Sequence, residues 1–293
     1  MKNILIMGGT RFFGKNLVER LLEKPDVQVT IATRGRTPDP FGDRVQRLQL
    51  DRTQENSLIE AARTQKLWDV VYDNICYSPD EAMASVRVFE GRVKHYIVTS
   101  SHSVYDPQED PLVEEAFDPY TYPIQTGSTA DFTYQEGKRQ TEAILFQKAN
   151  FPVSAVRFPI VLGIDDYTER LHFHINHVRQ QQPIGVPNRD AQISFIRSDE
   201  AADFLLWLGD REAMGPVNAS LTGSLSPGQI IAMIERAFGQ QAIIRDSTDD
   251  KDMSPFGVPD TWVQDPSKAQ HAGFGFLQLE QWMPVLIRDI RNA

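Results

Sequence analysis

The fold is decided by the stretch Gly8-Gly9-Thr10-Arg11-Phe12-Phe13-Gly14. The four residues before it, Ile4-Leu5-Ile6-Met7, form a continuous apolar run, which predicts a strand buried on both faces of a parallel sheet. After it, apolar residues recur at helical spacing over residues 17–22, and Pro25 ends the pattern. We therefore expect the stretch to form a tight turn between a first strand and a first helix.

The same alternation of strand and helix patterns continues to about residue 163. Strands are predicted over residues 4–7, 27–32, 45–50, 70–72, 95–99 and 153–157, and helices over residues 17–22, 57–62, 81–89 and 134–147. Strands that alternate with helices imply right-handed crossovers between parallel strands. The sequence therefore predicts an α/β fold with a Rossmann-type, doubly wound parallel sheet.

After Gly163 the alternation becomes irregular, which predicts a smaller C-terminal substrate lobe. Helices are expected over residues 173–179, 201–208 and 230–238, the last one after the capping tetrad Ser226-Pro227-Gly228-Gln229. We predict a dinucleotide-binding domain over residues 1–163 and a substrate-binding lobe over residues 164–293, with residues 197–220 returning to the first domain. Residues 107–130, rich in polar side chains and proline, are expected to form a long surface loop.

Composition and charge narrow the classes of partner. The 293 residues include 30 Lys and Arg against 40 Asp and Glu, a formal net charge of −10. A field of that sign repels phosphate backbones and anionic lipid, so nucleic acid and membranes are both unfavoured partners. Cys76 is the only cysteine, which excludes an intrachain disulfide and fits a reducing compartment. Because no run of about 18 apolar residues occurs, the expected location is the cytoplasm.

The glycine turn predicts a dinucleotide site. Glycines at such a turn let the backbone approach a pyrophosphate, whose charge the helix N-terminus stabilises. Gly14 would let the helix pack closely on the strand, whereas Arg11 stands where the middle glycine is usual. All seven residues of the turn are therefore candidate cofactor-binding residues. The alternative is a tight turn without a ligand.

The residues after the second strand bear on the choice of cofactor. An acid at this point normally accepts hydrogen bonds from the adenosine ribose and selects NAD. Here Thr33 takes that place, and Arg34 and Arg36 follow, whose guanidinium groups suit a ribose 2′-phosphate. NADP is therefore favoured over NAD, although these arginines could also lie on a solvated edge. Asp51, after the third strand, is a candidate partner for the adenine amino group.

Tyr134 and Lys138 are the candidate catalytic pair. Four residues apart on a predicted helix, they share one face. A phenol is a weak base near neutral pH, and an ammonium group beside it stabilises the phenolate, so the pair could exchange a proton with a sugar hydroxyl or carbonyl. Upstream, Ser100 and Ser101 follow the predicted fifth strand at its carboxyl end, where a hydroxyl could donate to a reacting oxygen. The alternatives without a catalytic role are that Tyr134 and Lys138 are a pair on the helix surface and that the serines form a turn.

In these motifs the chain resembles the extended short-chain dehydrogenase/reductases, the NAD(P)-dependent epimerase/dehydratase group, over essentially its whole length. The matching pieces are the Gly-Gly turn, Ser100-Ser101-x-x-Val104-Tyr105, Tyr134-x-x-x-Lys138, Arg157-Phe158-Pro159 with Gly163, and Ser198-Asp199-Glu200-Ala201. The resemblance implies Tyr134 as catalytic acid/base, Lys138 as its electrostatic and cofactor-binding partner, and Ser101 as the hydroxyl that orients the substrate. It also implies a sugar or nucleotide-sugar substrate and allows a homodimer.

Two departures from the family pattern stand out. Gly-Gly-Thr-Arg-Phe-x-Gly is similar to an atypical branch that includes chloroplast stem-loop RNA-binding relatives. Where family members often have an asparagine before Val-Tyr-Gly, this chain has Ile160-Val161-Leu162-Gly163. That asparagine helps to hold the diphosphate sugar, so the resemblance carries over the cofactor site more fully than the substrate site.

Other conspicuous residues are given structural interpretations. His172, His174 and His177 crowd one segment, but no Glu or Cys lies at ligand spacing, so no metal is expected. Cys76 is interpreted as a packing residue.

Two functions stay open at this point. The first is an NAD(P)-dependent epimerase, dehydratase or reductase that acts by hydride transfer on a sugar. The second is a nucleotide-binding or RNA-associated protein of the atypical branch, without sugar chemistry.

Overall fold

The computed structural model describes residues 1–292. The strands are, in chain order, β1 (Lys2–Met7), β2 (Val27–Thr33), β3 (Gln46–Gln49), β4 (Trp68–Asp73), β5 (Val93–Ser101), β6 (Val153–Phe158), β7 (Ile160–Leu162), β8 (Pro183–Gly185), β9 (Phe195–Arg197), β10 (Gly215–Asn218) and β11 (Ile243–Arg245). The α-helices are α1 (Phe12–Leu22), α2 (Glu55–Arg63), α3 (Pro79–Phe89), α4 (Tyr134–Lys148), α5 (Arg170–Gln180), α6 (Ser198–Gly209), α7 (Pro227–Phe238), α8 (Ser267–His271) and α9 (Leu279–Asn292). None of these helices, within residues 1–292, has the length and apolar character that crossing a bilayer requires.

The chain forms two compact units. Unit 1 consists of residues 1–105, 114–158 and 199–218. Unit 2 consists of residues 106–113 and 159–198, together with residue 219 to the end of the described chain. The predicted division of labour between a dinucleotide-binding domain at 1–163 and a substrate-binding lobe at 164–293 stays a prediction.

Unit 1 is built on a parallel sheet which, among the described residues, has seven strands in the order β10-β6-β5-β4-β1-β2-β3. The strand order reverses beside β1, where Met7 pairs with Ala32 on one side and with Asp73 on the other. Ligands of doubly wound folds bind at the carboxyl edge beside such a reversal. The predicted fold class is confirmed.

The first strand is buried on both faces of this sheet. Leu5, Ile6 and Met7 are completely buried, and α1 turns Leu17 and Val18 into the core behind them. Truncating one such side chain to alanine typically costs about 2–5 kcal/mol. The apolar run before the glycines therefore anchors the turn that follows it.

Three local predictions differ from the structure. β5 runs to Ser101, beyond the predicted end at residue 99, because it keeps its parallel pairing with β6 as far as Phe158. α1 begins at Phe12, five residues before the first predicted apolar position. The predicted surface loop contributes buried side chains, among them Glu114 and Phe117, because Arg157 hydrogen-bonds their backbone carbonyls.

Unit 2 has a core of its own between helices and two small parallel sheets, β7-β9 and β11-β8. The predicted cap of α7 is present. The Ser226 hydroxyl accepts from the Gln229 amide at 3.2 Å, and the Gln229 side chain accepts from the Ser226 amide at 2.8 Å. The amphipathic face of α7 buries Ile230, Ile231 and Ile234 in this core.

Candidate functional site

The glycine turn packs without room for side chains. Gly8 has φ +88°, a region that favours glycine, and a Cβ there would lie 2.7 Å from the Ile75 side chain. A Cβ on Gly14 would lie 2.3 Å from the Gly8 carbonyl oxygen, so α1 rests directly on the turn. The turn therefore presents backbone rather than side chains, which is what close approach of a pyrophosphate requires.

The start of α1 suits an anionic group. Arg11, the residue before the helix, is extended, and its side chain makes no capping hydrogen bond to the helix. The backbone amides of the first turn and the positive end of the helix dipole favour negative charge there. Phe12, at φ +50°, is buried, and the Phe13 ring packs against Phe158 at 5.6 Å between centroids. The two phenylalanine rings make packing contacts, so their backbone amides are what could face a cofactor.

One buried donor beside the turn also fits a ligand with acceptor oxygens. Asn74 follows β4 and is 7% exposed. Its Oδ1 accepts a hydrogen bond from the Thr99 hydroxyl at 2.7 Å, while its Nδ2 has no partner within residues 1–292. That nitrogen lies 3.4 Å from the position that a Gly14 Cβ would occupy. The glycine cradle and this unpaired amide together fit a dinucleotide.

A charged cluster lies where β2 and β3 end. The Asp51 carboxylate accepts hydrogen bonds from the Thr53 hydroxyl at 2.8 Å and the Thr53 amide at 3.1 Å. Those hydrogen bonds, and then the nearby charges of Arg34 and Arg36, lower the pKa of Asp51. The structure therefore brings Asp51, Arg34 and Arg36 together in an exposed position.

Lys138 is buried beneath the candidate catalytic tyrosine. Its Nζ donates to the carbonyl oxygens of Cys76 and Thr99, both at 2.8 Å, and only 1% of the residue is exposed. The same Nζ lies 5.8 Å from the centroid of the Tyr134 ring. Tyr134 is the first residue of α4 and is 56% exposed. The predicted Tyr134–Lys138 pair thus shares one helix face, with a fixed ammonium group and an accessible phenol.

The two candidate serines have different surroundings. Ser101 is half-buried and caps a short 3-10 turn, where its hydroxyl accepts from the Ser103 amide at 3.1 Å. The Ser100 hydroxyl is buried and donates to the Glu142 carboxylate at 2.5 Å. Ser100 is therefore committed to a buried network, and Ser101 is the serine at the carboxyl edge of the sheet.

That network was missed by the sequence reading. Glu142 pairs with Arg157, whose guanidinium also donates to the Tyr105 hydroxyl at 2.9 Å. Burial opposes the charge on Arg157, but the Glu142 carboxylate raises the pKa of Arg157 above its usual range. Glu142 lies one helical turn after Lys138, and nothing in the local sequence marks it as the partner of a strand residue.

Tyr77 was missed as well. It lies in the loop between β4 and α3, and its ring centroid is 4.3 Å from the Lys138 ammonium nitrogen. The Tyr77 and Tyr134 ring centroids are 6.3 Å apart. No sequence signal points to this residue, because its proximity to α4 arises from the crossover between β4 and β5.

The histidine segment has hydrogen-bond partners of its own. Burial lowers the pKa of His174 to about 4, and its Nε2 lies 2.7 Å from the Ser254 hydroxyl oxygen. His177 lies 3.2 Å from an Asp252 oxygen. Burial also raises the pKa of the Cys76 thiol to about 12. Over residues 1–292, no three His, Cys, Asp or Glu side chains are grouped so that they could hold a metal ion.

Comparisons with known proteins agree with this architecture. Residues 4–74 match the model of the NAD dependent epimerase/dehydratase family. One curated relative is the chloroplast stem-loop binding protein of 41 kDa b from Arabidopsis thaliana, 29% identical over 229 residues. That match covers 72% of this chain, which spans about half (56%) of the relative's length.

Two solved structures show the fold over nearly the whole chain. A dTDP-glucose 4,6-dehydratase from Bacillus anthracis, in complex with NAD, superposes with a TM-score of 0.79 at 13% identity, covering 100% of this chain and 97% of that one. A UDP-glucuronic acid 4-epimerase from Bacillus cereus, in complex with UDP-glucuronic acid and NAD, has a TM-score of 0.74 at 17% identity, with 99% of each chain covered. The family resemblance is therefore confirmed: residues 4–74 carry the NAD-dependent epimerase/dehydratase pattern, and the chain has the fold of sugar epimerases and dehydratases.

Proposed function

We propose that this protein binds a nicotinamide dinucleotide at the carboxyl edge of the unit 1 sheet. We propose further that it uses Tyr134 as acid/base in chemistry on a sugar or nucleotide sugar. The observation that carries the proposal is the position of Lys138, whose ammonium group is held by two backbone carbonyls 5.8 Å from the Tyr134 ring. A buried cation fixed beside an exposed phenol is an arrangement suited to moving a proton.

Particular residues are proposed to bind the diphosphate, the adenine and the 2′-phosphate of the cofactor. The backbone of Gly8, Gly9, Thr10 and Arg11, with the amides of residues 12–14, would hold the diphosphate. Asp51 would accept from the adenine amino group. The neighbours in the fold comparison were solved with NAD, which supports a nicotinamide cofactor in general. We further propose NADP over NAD, because Thr33 takes the place of the acid that would select NAD, and Arg34 and Arg36 follow it.

The chemistry of the chain's own residues follows from their positions. The Lys138 ammonium would stabilise negative charge that develops on the Tyr134 oxygen while the phenol exchanges a proton with a substrate hydroxyl. The Ser101 hydroxyl, at the end of β5, would donate a hydrogen bond to the reacting oxygen. The bound nicotinamide would supply or accept the hydride. Epimerisation and dehydration begin with this transfer of a proton and a hydride from the substrate, whereas net reduction of a carbonyl runs the same transfers in the opposite direction.

Unit 2 contains a polar groove of its own. An open cavity of about 490 Å³ lies between the side of α5 and the segment around Lys251. Its lining includes the cations of Arg170 and Lys251, the carboxylate of Glu169, and the amide side chains of Asn176, Gln180 and Gln182. Cations and amides of this kind suit a ligand that carries phosphate and hydroxyl groups.

The decisive experiment begins with titration of the purified protein with NADH and NADPH, followed by nicotinamide fluorescence. Nucleotide sugars are then added, and the absorbance of the bound cofactor at the nicotinamide band is recorded. We expect a nucleotide sugar to change that absorbance in the wild type but not in Tyr134→Phe. Full turnover by Tyr134→Phe would refute the proton-transfer role. Native mass spectrometry of the same sample tests whether the protein is a homodimer.

A second candidate function is supported by the Arabidopsis relative, which is named for stem-loop binding. Under this alternative the protein keeps the nucleotide-binding fold and associates with RNA. The net charge of −10 opposes direct contact with a phosphate backbone. Binding of a stem-loop RNA with steep salt dependence, together with no binding of either dinucleotide, would favour this alternative.

A further inference from the structure

Tyr77 lies against the candidate catalytic pair, although no motif includes it. Its ring centroid is 4.3 Å from Lys138 Nζ and 6.3 Å from the centroid of the Tyr134 ring. The ammonium group in turn lies 5.8 Å from the Tyr134 ring. Two aromatic rings and one buried cation therefore form a closed triangle at the first turn of α4.

The backbone of Tyr77 is held in place from three directions. Its amide donates to the Glu81 carboxylate at 2.7 Å. The preceding carbonyl, that of Cys76, accepts from Lys138. A Cβ on Gly137 would lie 2.4 Å from the Tyr77 carbonyl oxygen, so α4 packs directly on this loop. The position of the ring is thus set by the fold, and Gly137 is the residue that permits the approach.

The ring contacts an ammonium group that has already used most of its donors. A lysine ammonium has three N–H donors, and two of them are taken by the carbonyls of Cys76 and Thr99. The face of an aromatic ring carries negative potential and attracts a cation at this distance. A ring here also excludes water, so the charge of Lys138 is screened less than it would be in solvent.

We propose that Tyr77 is a positioning residue for the proton-transfer pair. Its ring covers the Lys138 ammonium, keeps water from it and so directs its charge toward Tyr134. This inference rests on the proposed function. Of the titratable groups around Tyr77, Lys138 and Tyr134 on α4 face its ring, Glu81 on α3 accepts from its backbone amide, and the buried Cys76 precedes it in the loop.

Two substitutions of Tyr77 distinguish the effect of its aromatic ring from the effect of its size. Tyr77→Phe keeps the ring face and removes only the hydroxyl, whereas Tyr77→Leu keeps an apolar side chain and removes the ring. The matched control is Tyr120→Leu, because Tyr120 is an exposed tyrosine that packs on Phe146 at 5.0 Å. The carbonyls that hold Lys138 belong to the backbone and are present in every variant.

The first readout needs neither cofactor nor turnover. An aromatic ring over the end of a lysine shifts the proton resonances of its terminal methylene upfield. NMR of protein labelled at lysine, with the Lys138 signal assigned by Lys138→Met, should show this shift in the wild type, Tyr77→Phe and Tyr120→Leu. In Tyr77→Leu the signal should move to the usual lysine position. If it stays in place, Tyr77 does not cover Lys138 and the inference is overturned.

The second readout is the pH dependence of the cofactor-linked absorbance change. We expect the half-maximal rate of Tyr77→Leu to move to higher pH by about half to one and a half pH units, with no movement in Tyr77→Phe or Tyr120→Leu. Identical profiles in all four proteins would overturn the positioning role while leaving the proposed function intact. A wild type that binds no dinucleotide and converts no sugar would overturn the proposed function, and this inference with it.

Discussion

Arg157 and Glu142 form a fully buried ion pair, in which Nη2 of the arginine lies 2.6 Å from Oε2 of the glutamate. The pair joins the end of β6 to the middle of α4, and Ser100 of β5 donates to the same carboxylate. It therefore ties β6 to β5, which carries Ser101, and to α4, which carries Tyr134 and Lys138. The geometry of the candidate catalytic group depends on a charge pair that never meets solvent.

Replacing only one partner of this ion pair should destabilise the folded protein. Arg157→Met or Glu142→Gln leaves the remaining partner buried without its counterpart, and we expect a loss of about 3–5 kcal/mol in the free energy of unfolding. The double variant should lose less than the sum of the two single losses, because no charge is stranded. Urea denaturation followed by circular dichroism measures all three. Additive losses would show that the two side chains act independently.

Gly14→Ala should damage the dinucleotide site. The new Cβ would lie 2.3 Å from the Gly8 carbonyl oxygen, so α1 must move away from the turn, at a cost of about 1–3 kcal/mol in stability. Dinucleotide affinity should fall at least tenfold in a fluorescence titration. Gly275→Ala is the control, since no atom of the described residues meets a Cβ there within 4 Å. Equal dinucleotide affinities in the two variants would contradict the proposal that the glycine turn binds the dinucleotide.

Arg34 and Arg36 should make the affinity for NADPH higher than the affinity for NADH. Replacing both with alanine removes the cations that would pair with a 2′-phosphate, so NADPH should bind about ten- to a hundredfold more weakly while NADH is little changed. Arg288→Ala, an exposed arginine of α9, is the matched control. A wild type that prefers NADH would show that Arg34 and Arg36 do not bind the 2′-phosphate. Equal losses of affinity for NADPH and NADH in the double variant would show the same.

Buried His174 should make stability depend on pH. Burial lowers its pKa to about 4 from an ordinary value of 6.5, so the unfolded chain binds a proton more readily than the folded one. The stabilising contribution is complete above pH 6.5 and is lost as the pH falls toward 4. His174→Gln should therefore flatten the loss of unfolding free energy between pH 7 and pH 4.5, by about 1–3 kcal/mol.

The check is urea denaturation at both pH values, with His271→Gln as the control because His271 is exposed. An unchanged pH dependence in His174→Gln would show that the folded and unfolded proteins bind a proton at this imidazole equally readily.

The outline of the fold followed from local sequence patterns. Apolar runs and helical spacing predicted the helices of unit 1 and all its strands except β10, because residues buried on a parallel sheet are apolar in a recognisable pattern. The secondary structure of the region after Gly163 was harder to predict. The short strands β7, β8, β9 and β11, each three residues long, were missed because so few residues show no period.

The sequence by itself determined the glycine turn between β1 and α1 and the pairing of Tyr134 with Lys138 on one helix face. Both are local, since a turn and a helical repeat depend on neighbours within a few residues. Only the tertiary structure decided what surrounds that pair. The Cys76 carbonyl that holds Lys138 comes from 62 residues away, the Tyr77 ring arrives on the same loop, and Glu142 meets Arg157 from another element. Such contacts arise when parallel strands bring distant loops to one edge, and no local pattern records them.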